Sequence, residues 1–153
     1  MPRLEDIPQP TRDAVANAAC PSFETTPFVS GPPLAERRVA IVSSAALIRR
    51  NDTPFSFGSA EVRLLPVDVP LGDLLVSHVS INFDRSGYQR DINTVYPIER
   101  LRELAAQGVV GSIAATHYTV MGSTDPSTME GSADQISGQL RQERVDAVLL
   151  TPV

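Results

Sequence analysis

With 153 residues, 42% of them hydrophobic, the chain can bury one sizeable core and hardly two. Thirteen Lys and Arg against eighteen Asp and Glu leave a formal charge of −5, which argues against the basic face that nucleic acid or an anionic membrane requires. The single cysteine, Cys20, excludes an internal disulfide and a cysteine-based zinc cage.

No apolar run approaches the roughly 20 residues of a membrane helix. The stretch Met1 to Pro8 is acidic and broken by proline, unlike a secretory signal peptide. A soluble cytoplasmic protein is expected.

Residues 1–36 hold seven of the thirteen prolines, so they are read as an arm rather than as core helix or sheet. Thr11 to Ala19 is expected to form one short helix capped by Thr11, and Ser22 to Pro33 to run extended over the surface. The arm either packs on its own domain or a partner, which Phe23 and Phe28 favour, or is a disordered tail. The place of Cys20 within this arm argues against a reactive thiol.

The α/β domain is expected over 37–153. Arg37-Arg38 followed by Val39 to Ser44 reads as a first buried strand. Ala45 to Arg50 is read as the start of a helical turn, broken by Asn51 to Pro54. Glu61 to Leu65 is an exposed strand closed by Pro66. Val76 to Ile81 is a further strand, with Val76, His78 and Ser80 on one face. The polar stretch from Asn82 to Asn93 is loop.

Pro97 to Gln107 is the clearest helix. Proline suits its first turn, Ile98, Leu101, Leu104 and Ala105 form one stripe, and Gly108 is the stop. Val109 to Ala115 is the next buried strand, Thr116 to Pro126 a loop, and Ser127 to Glu143 a helix weakened by Gly131 and Gly138. Val145 to Thr151 is the last buried strand. This alternation predicts a three-layer α/β fold with a mostly parallel sheet, a Rossmann- or flavodoxin-like half incomplete at its C-terminus. The strands near 39–44, 110–114 and 145–150 should lie side by side, in an order the sequence leaves open.

Phosphate-binding glycine loops, a nucleophile elbow and histidine pairs at ligand spacing are all absent, which argues against NAD, ATP and hydrolase chemistry. His78 has both a structural and a site reading. His117, read as lying just past a parallel strand, stands where such folds meet ligands. Arg85 could hold a substrate carboxylate, and Asp84 or Asp91 an amine or the His117 ring; a solvated loop is the alternative.

Several segments fall in one order: Leu75 to Ser80, Phe83 to Gly87, Asp91-Ile-Asn93, Tyr96 to Leu104, Gly108 to Gly111, Thr116 to Gly122 and Val145 to Val153. Together they resemble the selenoprotein B family of glycine, sarcosine, betaine and D-proline reductases, nearest its D-proline branch, over roughly 37–153. The resemblance implies a reductase that cleaves a C–N bond of an amino acid or N-methylated glycine with electrons from dithiols. It further implies a selenocysteine or cysteine directly after the Thr-Pro-x ending, here after Val153, and a pyruvoyl group on a partner subunit. No cofactor is expected within this chain, which would be inactive as it stands, and a homo-oligomer or a pyruvoyl-containing partner is expected. His117 is expected near the reactive selenium as hydrogen-bond donor or acid for the leaving amine. Asp84 and Asp91 come second, with Arg85, Asn93 and His78 as substrate-binding candidates. The competing expectation is a non-catalytic α/β binding or assembly subunit that docks a partner through the arm and strand edges.

Overall fold

The apolar run after Arg37-Arg38 forms the central strand, because Val39, Ala40 and Ile41 are buried only where both faces of a sheet are covered. A computed structural model of the protein describes residues 3–17, 22, 24–81 and 83–153. Cys20, Phe23, Asn82 and the end of the helix expected over 11–19 lie outside the described residues.

Strand β1 (Arg38–Ser43) has β7 (Ala147–Thr151) on one side. On its other side run β5 (Ser112–Ile113) and β6 (Thr116–Thr119), and all are parallel to it. β5 and β6 follow one another along the same edge of β1 and amount to one strand interrupted at Ala114-Ala115. β3 (Arg63–Pro66) adds antiparallel to β6. The order is β7, β1, β5/β6, β3, so the three strands expected together are neighbours with β1 in the middle.

β2 (Leu47–Arg49) and β4 (Leu74–Val76) form a separate antiparallel ribbon. The helical turn expected at Ala45 to Arg50 is therefore corrected to a strand. Ala46 takes a left-handed conformation at φ 52°, and the Leu47 N–H donates to Thr119 Oγ1 at 2.9 Å. Partners distant in sequence fix that backbone, and the helix-forming composition of the segment does not prevail. The strand expected to reach Ile81 stops at Val76, because its partner β2 begins opposite it at Leu47.

Helix α1 (Thr11–Ala16) starts at the expected cap residue in the arm. Helix α3 (Ile98–Ala106) buries Ile98 and Leu101 and ends at Gly108, φ 72°. There Gly108 N–H donates to Ala105 C=O (3.0 Å) and Val109 N–H to Leu104 C=O (2.9 Å), the paired bonds of a left-handed helix stop. Helix α4 (Glu130–Gln142) ends with the same bonds, but on Arg144, φ 54°. The connection through α3 leads from β1 to β5 and that through α4 returns across β1 to β7. Right-handed crossovers in opposite directions put the helices on opposite faces, which makes three layers.

The main core lies on the α3 face, where Val39 and Ile41 meet Leu65, Tyr96, Ile98 and Leu101. The arm joins the domain through a turn of 3-10 helix, Leu34–Glu36, packed against Gly111. A Cβ on Gly111 would sit 2.8 Å from the Ala35 carbonyl oxygen, so only glycine allows that approach. Between Glu24 and Pro33 the arm is exposed, and Phe28 is 87% accessible rather than packed. The strand expected to be buried over Val145 to Thr151 is corrected to an exposed edge: β7 pairs only with β1 among the described residues, and its Leu150 is 67% exposed. Grooves of about 260 Å³ toward α3 and about 380 Å³ toward Pro27–Val29 flank it.

Candidate active site

Three parallel strands end at one level, because Ser43, Thr119 and Thr151 are register partners across β6, β1 and β7. Register partners point to the same face, so three hydroxyls lie in a row on the α3 side at the carboxyl edge of the sheet, where open α/β folds carry their chemistry. Thr119 Oγ1 accepts from Leu47. Ser43 Oγ donates to the Val95 carbonyl at 2.7 Å and accepts from the Ala45 N–H. Thr151 Oγ1 is buried and has no partner among the described residues.

Ser44, the next residue, ties the three strand exits together. Its N–H donates to Thr151 C=O (3.1 Å) and its C=O accepts from Gly122 N–H (2.9 Å). Its Oγ accepts from Val153 N–H at 2.9 Å. Gly122 is required by this closeness, since a Cβ there would lie 2.8 Å from the Ser44 carbonyl oxygen. The Ser43–Val95 bond anchors the segment 91–96 over the same edge.

His117 is not at that edge. The strand that holds it was expected to finish at Ala115, but pairing with β1 resumes at β6, and His117 stands level with Ile41, two residues or about 7 Å below Ser43. Its ring is 0% exposed, and Nδ1 accepts the Ile41 N–H at 2.9 Å, replacing a ladder bond lost at the Ala114-Ala115 break. That bond makes Nε2 the protonated nitrogen of the neutral ring, and Nε2 is buried without a partner among the described residues, near the edge-on ring of Tyr96. Burial brings the imidazole down to about 4 despite the opposing charge of Glu143, and pushes the Tyr96 phenol up. His117 is thus neutral and holds the sheet together.

The other predicted residues fall into two groups. His78 and Arg85 form the first. Arg85 donates to the carbonyls of His78 (2.9 Å), Ser80 (3.2 Å) and Phe83 (3.3 Å), while His78 Nδ1 accepts from Ser80 N–H and its ring lies 4.8 Å from that of Phe83. Burial and then the Arg85 charge hold His78 below its ordinary range. Asp84 accepts from Ser86 N–H at the start of the short helix α2 (Ser86–Arg90), which holds its carboxyl below the usual range.

Asp91 and Asn93 form the second group with Glu99. Asn93 Nδ2 donates to Asp91 Oδ1 (2.8 Å) and Glu99 Oε2 (2.6 Å), and its Oδ1 accepts the Glu99 N–H in the first turn of α3. Bonds from the Asn93 side chain and backbone hold Asp91 low. These side chains shape the loop over the sheet edge. A cavity of about 600 Å³ lies beside Arg50, Asp68 and Asp73 and shares no residue with the edge.

Sequence reasoning missed Ser43, Ser44 and Thr151. The one available signal was the Thr151-Pro152 exit of the last strand, since the hydroxyl row exists only once the strands are in register.

Residues 65–153 match the family of glycine/sarcosine/betaine reductase selenoprotein B. The chain belongs to that family. It is 33% identical over 121 residues to the D-proline reductase subunit gamma of Acetoanaerobium sticklandii, covering 77% of this chain and 49% of that protein. It is 27% identical over 141 residues to the glycine reductase complex component B subunit gamma of Symbiobacterium thermophilum, covering 86% of this chain and 32% of that one. A sarcosine reductase complex component B subunit beta from Peptoclostridium acidaminophilum is 26% identical over 119 residues, 74% of this chain and 27% of the relative. The chain therefore spans about half the length of the first relative and about a third or less of the others. No solved structure matches it. The selenoprotein B match begins in β3 and runs through β7, so it includes Gly122 and Thr151 but not β1 with Ser43 and Ser44. Among the described residues no cluster of His, Cys, Asp and Glu is arranged for a metal, and no helix is long and apolar enough to cross a membrane.

Proposed function

We propose that the chain is a component of a selenol- or thiol-dependent reductase that cleaves a C–N bond of an amino acid or N-methylated glycine. The reactive selenocysteine or cysteine follows Val153 directly, and the amine-bearing substrate is held on a partner subunit. The convergence of three strand exits on Ser44, with the Val153 amide hydrogen-bonded to it, carries this reading. That edge fits a reactive chalcogen: Thr151 Oγ1 is buried and unpaired among the described residues, and Ser44 is half-buried beside the chain.

A selenolate, ionised at neutral pH where a thiol of pKa about 8.5 is mostly protonated, supplies a strong nucleophile. The C–N bond breaks as the nitrogen leaves protonated as the amine and the carbon is reduced, with two electrons and the accompanying protons drawn from a dithiol. A pyruvoyl group on the partner supplies the carbonyl through which the amine is held. The chain's own residues form the wall of the site. Ser43 and Asn93 anchor the covering loop 91–96, and His117 keeps the strands in register below it. That placement favours a supporting role for His117 over proton transfer to the leaving amine. Asp84 and Arg85 shape the outer loop.

The codon after Val153 tests this reading. A UGA or cysteine codon followed by an open frame, and D-proline-, glycine- or sarcosine-dependent oxidation of dithiothreitol by the full-length protein with its partner, are expected. A UAA or UAG codon there sinks the proposal. The second reading, a non-catalytic docking subunit, is favoured by the exposed β7 edge and its two grooves. It predicts a stable complex with a reductase partner and no alkylatable residue beyond Val153.

A further inference from the structure

We infer that Ser44 is a positioning residue, which aims the residue following Val153 and stabilises its ionised form. The inference rests on the reductase reading above for what that residue does, and on geometry alone for where the chain goes.

Ser44 is bound through all three of its polar groups, two to the exit of β7 and one to that of β6: its own N–H to Thr151 C=O, its Oγ to the Val153 N–H, and its C=O to Gly122 after β6. The two backbone bonds hold the serine in place whatever its side chain does. The side chain therefore has one task that the fold does not need, which is to fix the chain as it leaves β7. A hydroxyl has one donor and two acceptor sites. Ser44 Oγ spends an acceptor site on Val153 and its O–H donates to no group among the described residues. The remaining donor stands half-buried at the carboxyl edge, beside the amide that leads to the next residue.

Gly122 keeps the space next to it open, since any Cβ there would meet Ser44 Cβ and Oγ at 3.0 Å. Thr151, whose backbone carbonyl accepts from Ser44, brings to the same edge a second hydroxyl with no partner among the described residues. A thiolate or selenolate after Val153 meets at least one free O–H donor there, and hydrogen bonding to the charged form lowers a pKa.

The test has two arms. In the 153-residue chain, Ser44→Ala should speed hydrogen exchange of the Val153 amide about tenfold, as for one lost hydrogen bond, while Ser44→Thr retains protection. Both variants should melt like the parent, because the backbone bonds remain. In the full-length protein, the rate of iodoacetamide alkylation against pH should show the group after Val153 titrating about one unit higher in Ser44→Ala and at its original value in Ser44→Thr. Unchanged exchange overturns the fixing of the exit, and an unchanged pH profile overturns the stabilising role. If no alkylatable group follows Val153, the reductase reading fails and takes the stabilising role with it, while the exchange arm still decides the exit.

Discussion

His117 makes stability depend on pH in a way that one substitution can isolate. The free imidazole titrates near 6.5, and burial in the sheet brings it to about 4. At pH 7 the ring is neutral folded and unfolded, so there is no penalty. As pH falls below 6.5 the unfolded chain takes up a proton that the folded chain refuses until about 4. Stability is therefore lost at about 1.4 kcal/mol per pH unit, or about 3 kcal/mol over that window. His117→Gln keeps an acceptor for the Ile41 N–H and removes the titration. The variant should be less stable than the parent by about 1–3 kcal/mol at pH 7, through imperfect packing and hydrogen bonding. The gap should then narrow by about 2 kcal/mol by pH 5, since only the parent pays the protonation penalty. His78 is shifted in the same direction, and the depressed carboxylates of Asp84 and Asp91 act at lower pH. Both proteins share these groups, so they cancel in the difference. Urea midpoints measured from pH 4.5 to 7.5 give the comparison. A gap that stays constant within about 0.5 kcal/mol, or an imidazole that titrates above 6 by NMR in the folded protein, refutes the argument.

Three further outcomes follow from the geometry. Arg144 holds the left-handed position that glycine holds at Gly108, so Arg144→Gly should stabilise the protein by about 1 kcal/mol, read as a raised Tm; an unchanged or lower Tm would count against the strain. Gly122→Ala forces its new methyl against the Ser44 carbonyl, and a loss of about 1–3 kcal/mol is expected from the urea midpoint, with shifted amide resonances at Ser44 and Val153. Leu150 is largely exposed on the open β7 edge, so Leu150→Lys should change stability by less than about 0.5 kcal/mol. The same variant should lower any concentration-dependent association seen by sedimentation, because a lysine blunts an edge strand.

What was legible in the sequence was what neighbouring residues decide. Pro97, the stripe of Ile98 and Leu101, and Gly108 act within two or three turns of one helix, and α3 lies where they put it. The apolar run of β1 announces burial in a parallel sheet by composition alone, whereas that of β7 forms a strand parallel to β1 but is left largely exposed at the sheet edge. The order of the matching segments pointed to the selenoprotein B family. The tertiary structure decided whatever depends on a distant partner. Ala45 to Arg50 contains good helix formers, yet Thr119 and Ser77 hold its backbone in a strand turn. His117 reads as a loop histidine until the Ile41 N–H, 76 positions away, is seen to end on its ring. The bond from Val153 to Ser44 joins residues 109 apart, and the row of Ser43, Thr119 and Thr151 comes from strand register. A sequence carries no direct record of register, because pairing is fixed by which apolar faces can be buried together once all the strands are present.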